Sequence, residues 1–198
     1  MSITVSKTRD LLVDVARQLF ARMGIDHTTM NDIAQASQKG RRTLYTYFRS
    51  KEDIFLAVVE SELNKLNRTL QDFALQKLPA DEKLIAFIYR RLDAVKAIVF
   101  QNGTLRAKFF RDIWRVAKAR KKFDLQEIEI IENILEEGVK EGTFSMPDTR
   151  ITALTLHYIL KGLEVPYIRG FMGTTEAEQA GHRENVRHLI FNGIKITK

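Results

Sequence analysis

The chain contains no cysteine. Neither a disulfide framework nor a thiolate metal site can be built, and a reducing compartment, the cytoplasm, is the expected home. Only three prolines occur, Pro79, Pro147 and Pro166, which leaves long stretches free to run as helix. No eighteen apolar residues stand together, so no membrane span is expected. The N-terminal stretch has no apolar signal region either, because Asp10, Asp14 and Arg17 interrupt it. The chain also lacks a Gly-x-x-x-x-Gly-Lys-[Ser/Thr] loop, a Gly-x-Ser-x-Gly elbow, a Gly-x-Gly-x-x-Gly turn and a His-Glu-x-x-His pair. Its four histidines, His27, His157, His182 and His188, never fall at i, i+4 spacing. Glu136 and Glu137 point to different faces of a helix and make no acid/base pair. The expectation is a protein with no catalytic residues, no metal ligands and no cofactor.

What is present is helical periodicity, with no alternating stretch long enough for a sheet. Leu12, Val15, Ala16, Leu19 and Phe20 form one apolar stripe, predicting a helix from about residue 8 to Met23 that Gly24 stops. Thr29-x-x-Asp32 reads as a capping box opening a short second helix with Met30, Ile33 and Ala34 inward. A third helix is predicted after Gly40, with Leu44, Tyr47 and Phe48 inward and Arg41, Arg42, Thr43 and Thr46 outward. Ser50-x-x-Asp53 then opens a long strut helix reaching about residue 77. Beyond Pro79, segments 81–99, 104–122, 125–141, 148–169 and 175–195 have helical spacing, and Pro166 predicts a kink or break near residues 164–167. The expected fold is therefore all-α, with about nine helices. A three-helix N-terminal domain, residues 1–50, precedes a larger helical bundle, residues 51–198.

Charge is unevenly distributed. Residues 1–51 carry nine Lys or Arg against four Asp, whereas the rest of the chain has 23 basic and 21 acidic residues. An excess confined to one short region is what a phosphate-binding module shows. Within it, KGRRTLYTYFRSKED (residues 39–53) places five cations and three aromatics in fifteen residues. Two short helices joined by a tight turn, the second presenting basic and small side chains outward, make a helix-turn-helix that reads the major groove of DNA. Arg41 and Arg42 can fork onto guanine or a phosphate, Thr43 can meet a phosphate or a thymine methyl, and Tyr45 can stack or donate through its hydroxyl. Thr28, Thr29 and Lys51 stand at helix starts, where a phosphate meets backbone N–H groups.

LLVDVARQLFARMG, TTMNDIAQAS and TLYTYFRSKEDIF together resemble the N-terminal domain of the TetR family of transcriptional regulators over about a quarter of the chain. The resemblance implies a dimeric, sequence-specific DNA-binding regulator, a repressor released by a small-molecule effector. It implies phosphate contacts from Thr28, Thr29, Tyr47 and Lys51, and base or groove contacts from Arg41, Arg42, Thr43 and Tyr45. Where the family commonly has Gly-Val-Ser between the two helices, this chain has Gln38, Lys39 and Gly40. The turn thus loses the glycine that makes a left-handed residue easy, and the recognition end gains basic character through Lys39. The alternative class is a helical adaptor that binds protein without binding DNA.

For residues 51–198 the resemblance implies dimerisation through the last two helices and a pocket for a small ligand. The expected dimer face is Leu154, Tyr158 and Gly162 with Val186, Leu189 and Ile190, along a stripe that also holds Ile151, Ile159, Leu163, Gly193 and Ile194. The expected pocket residues are the aromatics Phe87, Phe110, Trp114, Tyr158 and Tyr167, which core packing alone also explains. Residues 106–122 hold eight cations and one acid, and residues 127–141 are acidic. They are read as neighbouring helices whose charges complement one another, the alternative for the first being a membrane-surface helix or a second nucleic-acid patch.

Overall fold

The structure, a computed structural model, describes the backbone of residues 2–101 and 113–192, and side chains over residues 7–100 and 120–192. It contains eight helices and no strand among the described residues: α1 (Ser2–Met23), α2 (Met30–Ala36), α3 (Arg41–Tyr47), α4 (Lys51–Ala74), α5 (Ala80–Gln101), α6 (Ile113–Lys140), α7 (Thr149–Ile168) and α8 (Glu176–Asn192). The all-α expectation holds. Two compact units divide the chain, one of residues 1–69 and 97–126, the other of residues 70–96 and 127–198.

In the first unit, α1 starts six residues before the predicted position and stops as expected. Gly24 takes φ +88° and its N–H donates to the Phe20 carbonyl at 3.0 Å. The predicted stripe is the core: Leu12, Ala16 and Phe20 are fully buried, and Ile33, Ala34, Leu44, Phe48, Ile54, Phe55 and Val58 close around them. Both predicted caps form. Thr29 Oγ1 accepts from the Asp32 N–H and the Asp32 carboxylate accepts from the Thr29 N–H at 2.8 Å. Ser50 Oγ accepts from the Asp53 N–H at 3.1 Å, while the Asp53 carboxylate accepts from the Arg49 N–H at 3.0 Å and not from that of Ser50.

Two expectations need correction. The segments 104–122 and 125–141 are not separate neighbours: from Ile113 to Lys140 the chain is one helix, α6. No glycine or proline interrupts residues 113–137, Phe123 is buried at the supposed gap, and Arg120 and Asp124 face each other across it at i, i+4. A change in charge sign does not break a helix. The cationic and acidic stretches are therefore successive turns of one element; residues 102–112 lie outside the described ones. Nor does Pro166 break α7, which continues through it to Ile168. With only two residues remaining, the missing N–H removes one bond near an end that is closed by Arg169 N–H to Val165 O and Phe171 N–H to Pro166 O.

The second unit is organised by buried charge. Arg91 on α5 is completely buried; its Nε donates to Glu127 of α6 at 2.7 Å and an Nη donates to Glu164 of α7. His157, also buried, places Nδ1 3.4 Å from the second Glu127 oxygen. Burial opposes ionisation of Glu127, but Arg91 outweighs it with help from His157, and the carboxyl lies below its ordinary value of 4.5. Pairs nearer the surface repeat the pattern between helices: Lys83 with Glu137 at 2.5 Å, and Arg150 with Glu132 at 2.6 Å.

Replacing Arg91 by Met is expected to cost about 3–5 kcal/mol, because two buried carboxylates lose their counter-charge. A carboxyl whose folded pKa is lowered stabilises above its unfolded value and loses that contribution as pH falls through the folded one. In wild type the Glu127 contribution is therefore present above pH 4.5 and lost below it. In Arg91→Met only His157 is left to oppose burial, the largest influence on Glu127, so its carboxyl should rise and the gap in thermal midpoint between the two proteins should be widest at pH 7 and narrow at pH 5. A constant gap in pH-dependent calorimetry would contradict this.

Candidate nucleic-acid interface

The first unit turns one side of α3 inward and the other outward. Leu44 is fully buried and Phe48, one turn later, is 3% exposed, while Arg41, Arg42, Tyr45 and Thr46 are exposed. That division follows from helical spacing: buried positions recur at i, i+4, and the cations occupy the remaining arc. Thr43 and Tyr47 are half-buried at the border, Tyr47 packing against the core and Thr46 bonding back to the Arg42 carbonyl at 2.9 Å. Arg9 of α1 lies over the Phe48 ring at 5.4 Å, bracing the helix end from behind.

The turn into α3 is tightly specified. After α2, the Lys39 N–H bonds the Ala34 carbonyl and the Gln38 N–H bonds the Gln35 carbonyl, both at 3.0 Å. These are the two bonds of a Schellman closure, which demands a left-handed residue between them. Gln38 supplies it with φ +53°. The residue that departs from the family's glycine therefore adopts the glycine conformation, and the turn keeps its geometry at an energetic cost. Gly40 serves as the N-cap of α3 without a side-chain cap, and nothing lies within 4 Å of where a Cβ would stand.

Two of the expected phosphate anchors have other partners. Thr28 is fully buried, and its hydroxyl donates to the Gly24 carbonyl at 2.6 Å. Its side chain clasps the α1–α2 connection and is not presented to a phosphate. Lys51 sends its ammonium to the Ile25 carbonyl at 2.6 Å and the Asp26 carbonyl at 3.4 Å, tying the start of α4 to the same loop. Thr29 is exposed beside its capping box, and Lys39 is half-buried in the turn. The outward set is thus Thr29, Lys39, Gly40, Arg41, Arg42 and Tyr45, with Thr43 and Tyr47 at its edge. Gln38, absent from the sequence-based set, is exposed in their midst. Its signal was the missing glycine itself.

In the second unit, α7 carries Ile151, Leu154, Tyr158 and Ile159 exposed along one side, with Gly162 in open space. Helix α8 has no buried residue at all: Leu189 is exposed, and Val186 and Ile190 are half-buried. Four of the six expected dimer residues, Leu154, Tyr158, Gly162 and Leu189, are therefore exposed and two, Val186 and Ile190, half-buried, whereas Gly193 and Ile194 lie outside the described residues. Of the expected pocket aromatics, the three described ones do not line one cavity. Phe87 is fully buried, Tyr158 is 62% exposed, and Phe110 and the Trp114 side chain lie outside the described residues. Tyr167 donates its hydroxyl to Asp93; burial and that carboxylate both push the phenol up, so it stays protonated. Instead, a cleft of about 860 Å³ opens between Leu84 and Ile88 of α5, Leu135 of α6, Leu160 of α7 and Ile190 and Phe191 of α8. None of Phe87, Tyr158 and Tyr167 lines it.

Residues 12–58 match the family model described as bacterial regulatory proteins, tetR family. The HTH-type transcriptional repressor KstR2 of Rhodococcus jostii is 29% identical over 148 residues, covering 70% of this chain and 69% of that protein. Among solved structures, a transcriptional regulator from Cytophaga hutchinsonii superposes with a TM-score of 0.72 at 24% identity, over 94% of this chain and 98% of that one. FadR from Bacillus subtilis, solved in complex with stearoyl-CoA, gives 0.64 at 19% identity, over 94% and 99%. At these identities the structural likeness is one of fold.

Gln38→Gly should stabilise the protein by about 1 kcal/mol, since glycine takes the left-handed conformation without a Cβ conflict. The thermal midpoint should rise by about 2–4 °C. An unchanged or lower midpoint in calorimetry would show that the turn is not strained.

Proposed function

We propose, from the match of residues 12–58 to the tetR family model and the likeness to KstR2, that the chain is a TetR-family protein: a dimeric, sequence-specific DNA-binding regulator, a repressor released from its operator by a small-molecule effector. The observation that carries the reading is the two-sided α3, with Leu44 and Phe48 locked in the core and Arg41, Arg42 and Tyr45 exposed on the opposite arc. Residues 1–50 form the DNA-binding domain in this reading, and residues 51–198 serve dimerisation and effector binding. Arg41, Arg42, Thr43 and Tyr45 enter the major groove, while Thr29, Lys39, Gly40 and Tyr47 hold the backbone with the N–H of Lys51 that its carbonyl partners leave over. A seven-residue helix touches too few base pairs to select a site alone, so two copies must act together, with half-sites roughly 34 Å apart.

The pairing surface in this reading is Leu154, Tyr158 and Gly162 of α7 with Val186, Leu189 and Ile190 of α8, supported by the exposure of Leu154, Tyr158, Gly162 and Leu189; Val186 and Ile190 are half-buried and, with Leu189, also line the cleft, so pairing and the cleft share one edge of α8. The effector site is assigned to the apolar cleft of the second unit, whose size suits a small molecule. The stearoyl-CoA complex of the FadR relative supports a ligand-responsive role for this architecture. An effector releases the operator only to the extent that it binds the DNA-incompetent state more tightly, typically by about 1–3 kcal/mol. The protein acts in the cytoplasm, without catalysis, cofactor or metal. No helix among the described residues is long and apolar enough to cross a membrane.

Two measurements check the reading. Binding to duplex DNA from upstream of the protein's own gene should weaken linearly in a log–log salt series, and Arg41→Ala should cost about 1–3 kcal/mol if that arginine forks onto a guanine. No sequence-selective binding at low salt would refute it. Leu154→Arg with Tyr158→Glu should turn the dimer into a monomer in sedimentation analysis and abolish operator binding, while the helix content stays unchanged.

A further inference from the structure

Five described residues hold left-handed backbone conformations, and four of them are glycines: Gly24, Gly142, Gly170 and Gly173. The chain places glycine wherever this conformation alone is required. The fifth is Gln38, in the one turn that leads into the recognition helix. The Schellman bonds around it are made by backbone groups, so a glycine would complete them as well and with less strain. Packing does not retain the glutamine: its side chain is exposed, and among the described residues its amide makes no hydrogen bond.

Position and chemistry remain. Gln38 stands three residues before Arg41 and is flanked by Lys39, Arg41 and Arg42, the cations that draw this face to DNA. A carboxamide offers a donor and an acceptor side by side, the pair that matches N6 and N7 of adenine in the major groove. Arginine and lysine are donors only and cannot make that choice. We propose that Gln38 is a specificity-determining residue that reads an adenine at the edge of each operator half-site, beside the bases met by α3. This rests on the operator-binding reading above.

The test is selection of bound duplexes from a random-sequence library by the full-length protein, run in parallel for wild type, Gln38→Gly and Gln38→Glu. Wild type should enrich a palindromic motif with an adenine at one position in each half. Gln38→Gly should lose preference at that position alone and bind the wild-type motif about tenfold more weakly, although its thermal stability is at or above wild type. Gln38→Glu keeps a side chain of the same length but only accepts, so adenine should give way to cytosine, whose N4 donates. An unchanged motif and affinity in Gln38→Gly would overturn the proposal while leaving DNA binding intact. Loss of all preference together with lower stability would overturn it too, by showing that Gln38 serves the fold. If wild type enriches nothing, the operator-binding reading fails and this inference fails with it.

Discussion

A seven-residue helix does not persist in water unaided, and both helices of the DNA-reading pair, α2 and α3, are seven residues long. Their existence depends on burial of two side chains apiece, Ile33 and Ala34 from α2, Leu44 and Phe48 from α3 and its C-cap, against the Leu12–Ala16–Phe20 stripe of α1. Much else in the first unit serves that constraint. The reciprocal Thr29–Asp32 cap fixes where α2 starts, the Gln38 turn fixes the direction in which α3 leaves, and Arg9 covers the Phe48 ring. Thr28 and Lys51, both claimed by carbonyls of the α1–α2 connection, hold that scaffold in place. The outward cations are displayed by a frame whose order comes from apolar contact.

The second unit meets a different constraint. A fully buried guanidinium tolerates few arrangements, because each displaced partner leaves a charge without compensation. Arg91 joins carboxylates 36 and 73 residues away in sequence. Such a cluster contributes little net stability compared with apolar packing, but it penalises wrong registers of α5, α6 and α7 strongly. The apolar cleft opens among α5, α6, α7 and α8, beside the helices that this cluster ties together.

Local signals carried most of the fold. Apolar spacing located the helices, Gly24 and the Thr29 and Ser50 caps placed ends to within a few residues, and the T-L-Y-x-Y-F stretch of α3 identified its two faces. The failures share a cause, which is that they depend on partners distant in sequence or on burial. Thr28 looked like an anchor by position, yet its hydroxyl is taken by a carbonyl four residues earlier. Lys51 looked free until the loop 26 residues before it came within reach. The aromatics of the central segments gave no indication of which side of a helix they occupy, so Tyr158 was expected both in a pocket and on an outer face, and the structure places it outside. The break expected before Leu125 has no glycine or proline to make it, and the change of charge sign there costs a helix far less than either.

Helix α8 has a further consequence. With no buried residue, it is attached by edge contacts: Arg187 to Asp81 at 3.0 Å, Arg183 over the Tyr89 ring at 4.5 Å, and Phe191 stacked on Phe144 at 5.7 Å. Such an element has a low local opening free energy, well below that of the helices whose stripes are fully enclosed. Its amides are expected to exchange faster than those of the enclosed helices. In the dimer proposed above, covering the outer side of α8 would add order that its own edge contacts do not supply.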